Sequence, residues 1–483
     1  MEQRPQAVPA QREAWSGRTV FILAAIGSAV GLGNIWRFPY IAYENGGGAF
    51  IVPYLIALLS AGIPLLFLDY AIGHKFRGSP PLAFRRLSRP AEALGWWQVG
   101  ICFVIAVYYA VIIAWAARYA IFSFSEAWGD DPASFFASDF LQQDGESTFG
   151  LDFVPGVVIP LLLVWIGVIA ILAFGVQKGI ERIARLFLPV LFVILVLMLI
   201  SALGMSGSRE ALGFIFRPNF AELEPTSLLE ALGHSFFTLS LGMGAMITYG
   251  SYISRGQSIV KASAIIVVLD TLIALIATVI MFSVIFSVAG MADDVSDTGT
   301  VGMLFISLPA LFYSEGPFGR ILGPLFYVLV ALAALTSTMS LLEVVASYII
   351  DEHGVGRRKA TLMCGGVVFV FTVLAAVSFG AVPFITNLEV GGALGDLLFG
   401  GKVGWFSMAD HFVSNWMLPT GGLAVTLAAG WFMTRQATES ELMDGTEPGW
   451  FRYGVWRFFI RFVAPVAVAA IIVAVIFFGV DFS

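Results

Sequence analysis

The sequence predicts an all-α membrane protein with eleven transmembrane helices, on three observations. Of 483 residues, 58% are hydrophobic and 12% charged, with a mean hydropathy of +0.88, whereas a soluble domain carries about 25% charged residues. Apolar runs of about 20 or more residues recur between short polar connections, the length that crosses a hydrocarbon core of about 30 Å as a helix; barrel strands would alternate over about 10 residues. Basic residues cluster in alternate connections, as in proteins that thread a bilayer repeatedly.

The spans read at 17–43, 47–75, 96–127, 153–174, 178–205, 228–254, 258–289, 321–351, 360–380, 404–434 and 454–479. The leader, 1–16, is polar, and no small-residue cleavage site follows a short apolar core, so it is expected to remain and to lie in the cytoplasm. With that orientation most of the 26 Lys and Arg fall in the leader, in connections after even-numbered spans such as HKFRG, RRLSR and GRRK, or at adjoining helix ends. The opposite side is acidic: 128–152 holds Asp130, Asp131, Asp139, Asp144, Glu146 and Asp152 without a Lys or Arg. An odd number of spans then places the C-terminus outside, and a plasma-membrane location in a bacterium is expected. The net charge of −7 argues against nucleic acid as a partner. Cys102 and Cys364 both lie within apolar spans and read as buried thiols. His74, His234, His353 and His411 show neither metal spacing nor a nucleophile motif, which argues against an enzyme.

Two spans are spoiled. The first is interrupted at Gly27–Asn34, GSAVGLGN, and the sixth at Thr238–Gly244, TLSLGMG. Five spans apart, the two copies enter the membrane from opposite sides, the arrangement of an inverted repeat whose broken helices mark a transporter's central site. Glycine-rich spans also arise from close helix packing, but that alone does not explain two matched breaks with polar neighbours. Unwinding frees N–H and C=O groups that cost several kcal/mol each in hydrocarbon, at about the scale known for unpaired polar groups, so bound cargo must satisfy them. Half-helix N-termini suit an anion and unwound carbonyls a hard cation, so a zwitterion with sodium fits both.

At this point the residues become recognisable. REAWSGR, GSAVGLGNIWRFPYIAYENGGGAF, PYLIALLSAGIPLLFLDYAIG, SFFTLSLGMGAMITYGSYI and ALTSTMSLLE closely resemble the neurotransmitter:sodium symporter family over nearly the whole chain. The resemblance implies a LeuT-like fold with a 5+5 inverted repeat: a leader at 1–16, a first repeat at 17–206, a second at 207–434, and a cytoplasmic connection with the eleventh span at 435–483. Most members have twelve spans; some bacterial ones have eleven.

The resemblance further implies two sodium sites. The first would use the Ala29 carbonyl, Asn34, Thr238, Asp270 and the substrate carboxylate; the second the carbonyls of Gly27, Val30 and Ala333 with the hydroxyls of Thr336 and Ser337. All are oxygen donors, as a hard cation requires. Thr336 and Ser337 would alternatively bond back to their own helix. Asp270 departs from the asparagine common in the family. Its fixed charge is expected to make chloride unnecessary; the alternative is a protonated carboxyl held in the packing.

Where monoamine carriers have aspartate, this chain has Gly31, so the substrate must bring its own carboxylate. By resemblance that group meets the N–H of Leu32 and Gly33 and the Tyr109 hydroxyl, while the ammonium faces the carbonyls of Ala29, Phe237 and Thr238 and the Ser240 hydroxyl. The side-chain pocket would be Ile105, Tyr109, Phe237, Ser240, Met243, Ser337 and Leu341. It carries no counter-charge, which argues against charged amino acids, and Met243 is adaptable; the GMG stretch resembles that of bacterial members that take bulky hydrophobic amino acids, tryptophan included, so large neutral L-amino acids are expected. Arg37 and Asp410 are expected to form an outer ion-pair gate above the Tyr109–Phe237 lid. Arg12 would pair with Asp351 on the inner side, with Trp15, Ser251 and Tyr252 holding the leader. Asp69 stands where the family has a bracing glutamate, and Glu343 receives no role. An osmolyte carrier would need an aromatic box, and neither break has a tryptophan cluster; a membrane sensor that binds the amino acid without moving it is the reading from another class.

Overall fold

The computed structural model describes residues 13–142, 155–287, 301–378, 383–447, 449 and 451–482. Among these residues the chain is helical, with no strand. Eight helices are long and apolar enough to cross a membrane: Gly47–Phe76, Arg89–Phe122, Gly156–Ala173, Val176–Leu203, Ile259–Ile285, Gly319–His353, Arg357–Val377 and Tyr453–Phe478. The first expected span consists of Arg18–Ala29 and Gly33–Glu44, set at 55° to each other. The tenth is Trp405–Phe432, followed at 105° by the short polar helix Arg435–Met443. The sixth is divided between Ser227–Thr238 and Ala245–Gly250, each too short to cross alone. Eight to ten spans are thus long and apolar enough to cross, and the sixth falls in two short pieces, among the described residues. Short helices outside them, such as Pro80–Leu87, Ser208–Phe216 and Met303–Ser314, escape a reading that rests on long apolar runs.

Burial orders the bundle. The apolar stretches of the third and eighth spans are 83% and 72% enclosed by protein, those of the fourth and fifth only 28% and 33%. The third and eighth also pack against each other more extensively than any other pair. They form the centre, while the fourth and fifth line the periphery with exposed Ile159, Leu163, Val193 and Ile200. This is the distribution a bilayer imposes, because lipid tails are as apolar as the core and exact no penalty for outward leucines.

The first break packs against the fifth, seventh and eighth spans, and the two halves of the sixth pack against the second. At the first break the chain leaves the helix at Val30, which is extended (φ −71°, ψ 106°), and resumes as a wide turn at Gly33–Arg37. At the sixth, Ser240, Gly242 and Gly244 all have positive φ, at 53°, 72° and 83°. Glycine accepts that geometry freely. Ser240 does not, and a strained non-glycine residue there is what functional sites commonly hold.

Candidate functional site

The two breaks face each other across a buried cavity lined by Ser28, Ala29 and Gly33 of the first, Thr238, Ser240 and Met243 of the sixth, and residues of the third and eighth spans. The Ser240 hydroxyl donates to the Ser28 carbonyl at 3.3 Å, and a Cβ on Gly33 would stand 3.1 Å from the Phe237 ring. Gly31 has a steric reason beyond any charge argument: a Cβ there would meet the Tyr109 hydroxyl at 2.5 Å and the Ser337 hydroxyl at 2.6 Å.

On one side of the first break, Asn34, Thr238 and Asp270 come together, all fully or almost fully buried. The Asn34 amide donates to Asp270 at 2.8 Å, and the Thr238 hydroxyl donates to the same carboxylate at 3.1 Å. The Asn34 carbonyl accepts from the Gly31 N–H at 3.1 Å. Ala29 lines the adjoining cavity. A carboxylate this deep needs compensation, and two neutral donors supply only part of what a cation would.

On the other side lies a cluster made solely of oxygens. The Thr336 hydroxyl donates to the Ala333 carbonyl at 2.8 Å; the Ser337 hydroxyl lies 3.1 Å from the Ser28 carbonyl, 3.4 Å from Ala333 and 3.5 Å from Val30. A Cβ on Gly27 would be 3.4 Å from Thr336, which places that residue at the same cluster. Back-bonding of Thr336 and Ser337 to their own helix therefore does occur, and it holds both hydroxyls beside the unwound carbonyls. Ser28 and Ser340, which sequence reasoning did not single out, share a hydrogen bond of 2.7 Å here. The signal was available: 336, 337 and 340 place three hydroxyls on one helical face.

Ile105, Tyr109, Phe237, Ser240, Met243, Ser337 and Leu341 all line the central cavity. Its chemistry is apolar with hydroxyls and no charged side chain. The Leu32 N–H is already taken by the Tyr109 hydroxyl at 2.8 Å, leaving that hydroxyl's own proton to donate elsewhere.

Tyr109 and Phe237 line both this cavity and a second one, open beyond them, with Arg37 and Asp410 in its wall. The expected direct Arg37–Asp410 pair does not form. Ser414 stands between the two, 3.4 Å from each, and both charges lie in the wall of this cavity. Arg37 lies instead over the Phe237 ring, 5.0 Å from its centre.

At the opposite end, Trp15 is buried, its indole donating to the Tyr249 carbonyl and its backbone N–H to that of Tyr252, both at 3.0 Å. The Ser16 N–H and hydroxyl bind Glu181 at 2.6 and 2.8 Å, and Gln177 donates to the Ala14 carbonyl at 2.9 Å. Ser251 is buried there too, its carbonyl accepting from Arg77 at 3.2 Å. Arg12 lies outside the described residues; Asp351 accepts from the Ser79 N–H at 2.6 Å. Glu343 now has partners: the Tyr252 hydroxyl at 2.5 Å and a two-pronged bond from Arg357 at 2.8 and 3.0 Å, while Arg357 also reaches Glu13 at 3.0 Å. Asp69 sits fully buried beside the Gly242 backbone of the sixth break.

A bundle of membrane-length helices around two broken spans, with polar groups gathered at the breaks, is the architecture of a secondary transporter. A family model for the sodium:neurotransmitter symporter family matches residues 12–132 and 128–480, and the chain belongs to that family. It is 31% identical to an uncharacterized sodium-dependent transporter of Methanocaldococcus jannaschii over 96% of this chain and 90% of the relative. It is also 31% identical to one of Bacillus subtilis, over 94% and 95%. Among solved structures it resembles MhsT in complex with L-phenylalanine, with a TM-score of 0.80 and 34% identity, covering 96% of this chain and 99% of that one. The chain is a multi-pass, sodium-dependent membrane transporter of LeuT-like fold and not an enzyme.

Proposed function

We propose that the protein imports large neutral L-amino acids together with two sodium ions, without chloride. The observation that carries this reading is the arrangement around the first break: Asn34, Thr238 and Asp270 on one side, Thr336 and Ser337 on the other, and Gly31 between them with no room for a side chain. The first sodium takes the Ala29 carbonyl, Asn34, Thr238, Asp270 and the substrate carboxylate; the second takes Gly27, Val30, Ala333, Thr336 and Ser337. The carboxylate receives the Tyr109 hydroxyl proton and the Gly33 N–H. The apolar wall from Ile105 to Leu341 receives the side chain, and the complex of MhsT with L-phenylalanine supports an amino acid as cargo.

Sodium favours the geometry in which the breaks and the eighth span are held together, and its loss to the cytoplasm releases the cargo as one group of helices rocks against the other. The Arg37 side faces out and the leader faces the cytoplasm of a bacterial plasma membrane. One charge across 100 mV is worth about 2.3 kcal/mol and a tenfold gradient about 1.4. Two sodium ions therefore supply on the order of 7 kcal/mol, enough to concentrate a neutral zwitterion roughly 10⁵-fold.

Uptake of labelled tryptophan and leucine into proteoliposomes tests this, with sodium, lithium, potassium and chloride substituted in turn. Uptake should need sodium, persist in gluconate, and yield to competing phenylalanine but not glycine. Collapse without chloride would remove the role given to Asp270, and inhibition by glycine alone the substrate class.

A further inference from the structure

Arg118 lies one turn before the end of the third span, about 6 Å along the axis from Phe122, the last residue of that helix. Among the described residues no carboxylate or other hydrogen-bond acceptor reaches it: its Nε is buried and unpartnered, and its guanidinium rests 4.5 Å from the Phe122 ring centre. Nearby Arg320 differs, with Glu126 at 2.9 Å.

From Arg118 a groove runs between the third, fourth and eighth spans, walled by Ile121, Ile159, Leu163, Leu332 and Leu335. It is almost wholly apolar. Ile121, Ile159 and Leu163 are each more than half exposed, so the groove opens toward lipid. The fourth span widens it with Gly156 and Gly167, where an added Cβ would meet nothing within 4 Å. A hydrocarbon channel headed by one cation that is unpaired among the described residues matches an amphiphile with an acyl chain and an anionic head.

We propose that this groove binds one anionic phospholipid, an acyl chain lying between the three spans and its phosphate held by Arg118. The site is coupled to sodium through the eighth span. Leu332 and Leu335 face the lipid, while Ala333, Thr336 and Ser337, on the other side of the same two turns, face the first break. On the third span, Ile113 lines the groove one turn from Tyr109. A lipid that fixes these helices raises sodium affinity, and sodium raises lipid affinity by the same factor.

Native mass spectrometry of the detergent-purified protein, with phosphatidylglycerol, phosphatidylcholine or oleate added, tests the site without any transport measurement. The wild type is expected to keep one phosphatidylglycerol under activation that strips phosphatidylcholine. Arg118→Gln should lower that retention at least fivefold, to the phosphatidylcholine level, and Gly167→Leu, which fills the channel with a good helix former, should abolish it. Equal retention of the two phospholipids by the wild type, or phosphatidylglycerol retention unchanged in both variants, overturns the proposal; so does displacement of phosphatidylglycerol by equimolar oleate. Phosphatidylglycerol should also enlarge the sodium-induced rise in Tm of the wild type but not of Gly167→Leu, and an equal enlargement in both overturns the coupling.

Discussion

Between the central cavity and the Arg37 side stand two aromatic rings, Tyr109 and Phe237, and beyond them a cavity in which Arg37 and Asp410 share one serine at 3.4 Å. Between the central cavity and the leader side stand Trp15, sealed by Tyr249 and Tyr252, three further leader residues (Glu13, Ala14 and Ser16) bonded to the fifth and ninth spans, and a buried carboxylate with two partners. The leader side is bonded shut while the Arg37 side is merely covered. A carrier must be able to open either side, so the difference means that the conformation described is the one closed at the leader, and that most of the energy for the opposite conformation must be spent there. Partly solvated charges that meet only through a serine are worth about 0 to 1 kcal/mol, which makes the Arg37 side easy to open and shut.

The largest test of that contrast is Trp15→Ala. Removing a buried tryptophan costs about 3–5 kcal/mol, and here it falls on the closed leader. Hydrogen exchange at residues 13–18 and 249–253 should accelerate by roughly a hundredfold or more, with sodium-driven uptake reduced below about a tenth. Unchanged protection would mean that the leader does not hold this side. Next comes Arg357→Gln, which leaves Glu343 buried without its charge partner; breaking a buried pair costs about 3–5 kcal/mol, and with Arg357 15% exposed the lower end is expected. Differential scanning fluorimetry should register the loss as a lower Tm, and a shift under 1 °C would contradict it.

At the centre, Gly31→Ala forces a methyl group against the Tyr109 and Ser337 hydroxyls. Overpacking of this kind costs about 1–3 kcal/mol. Binding of labelled leucine should weaken roughly 10- to 100-fold with a lowered sodium-free Tm, and wild-type affinity would show that the two hydroxyls move aside freely. Smallest is Ser414→Ala on the Arg37 side, where two long hydrogen bonds are lost for under about 1 kcal/mol. The KM for uptake should change less than threefold; a tenfold change would erase the contrast between the two sides.

How far each feature could be read from the residues depends on the range of the interaction behind it. The broken spans were legible because glycines and a lone asparagine interrupt runs that are otherwise apolar, a local property. The partners of Glu343 were not: Tyr252 lies 91 residues before it, in the turn after the sixth span, and Arg357 14 after, on the ninth. Arg37 and Asp410 were correctly placed on one side of the molecule, yet their separation by Ser414 depends on how far apart two helices stand. Asp69 shows the same limit, since its type and depth were readable but the Gly242 backbone beside it was not.

The sequence by itself determined the class, the long apolar spans, the two breaks and the oxygen-rich residues beside them, because membrane crossing is set by the length of an apolar run and unwinding by residues that tolerate it. Only the tertiary structure decided which polar groups satisfy one another: that the Asn34 amide turns to Asp270, that Leu32 holds the Tyr109 hydroxyl, that Gly31 has no space for a side chain, and that Arg118 heads an open groove. Hydrogen bonds and steric contacts are won or lost within a few tenths of an ångström, and distances between helices far apart in the chain are fixed by the packing of the whole bundle.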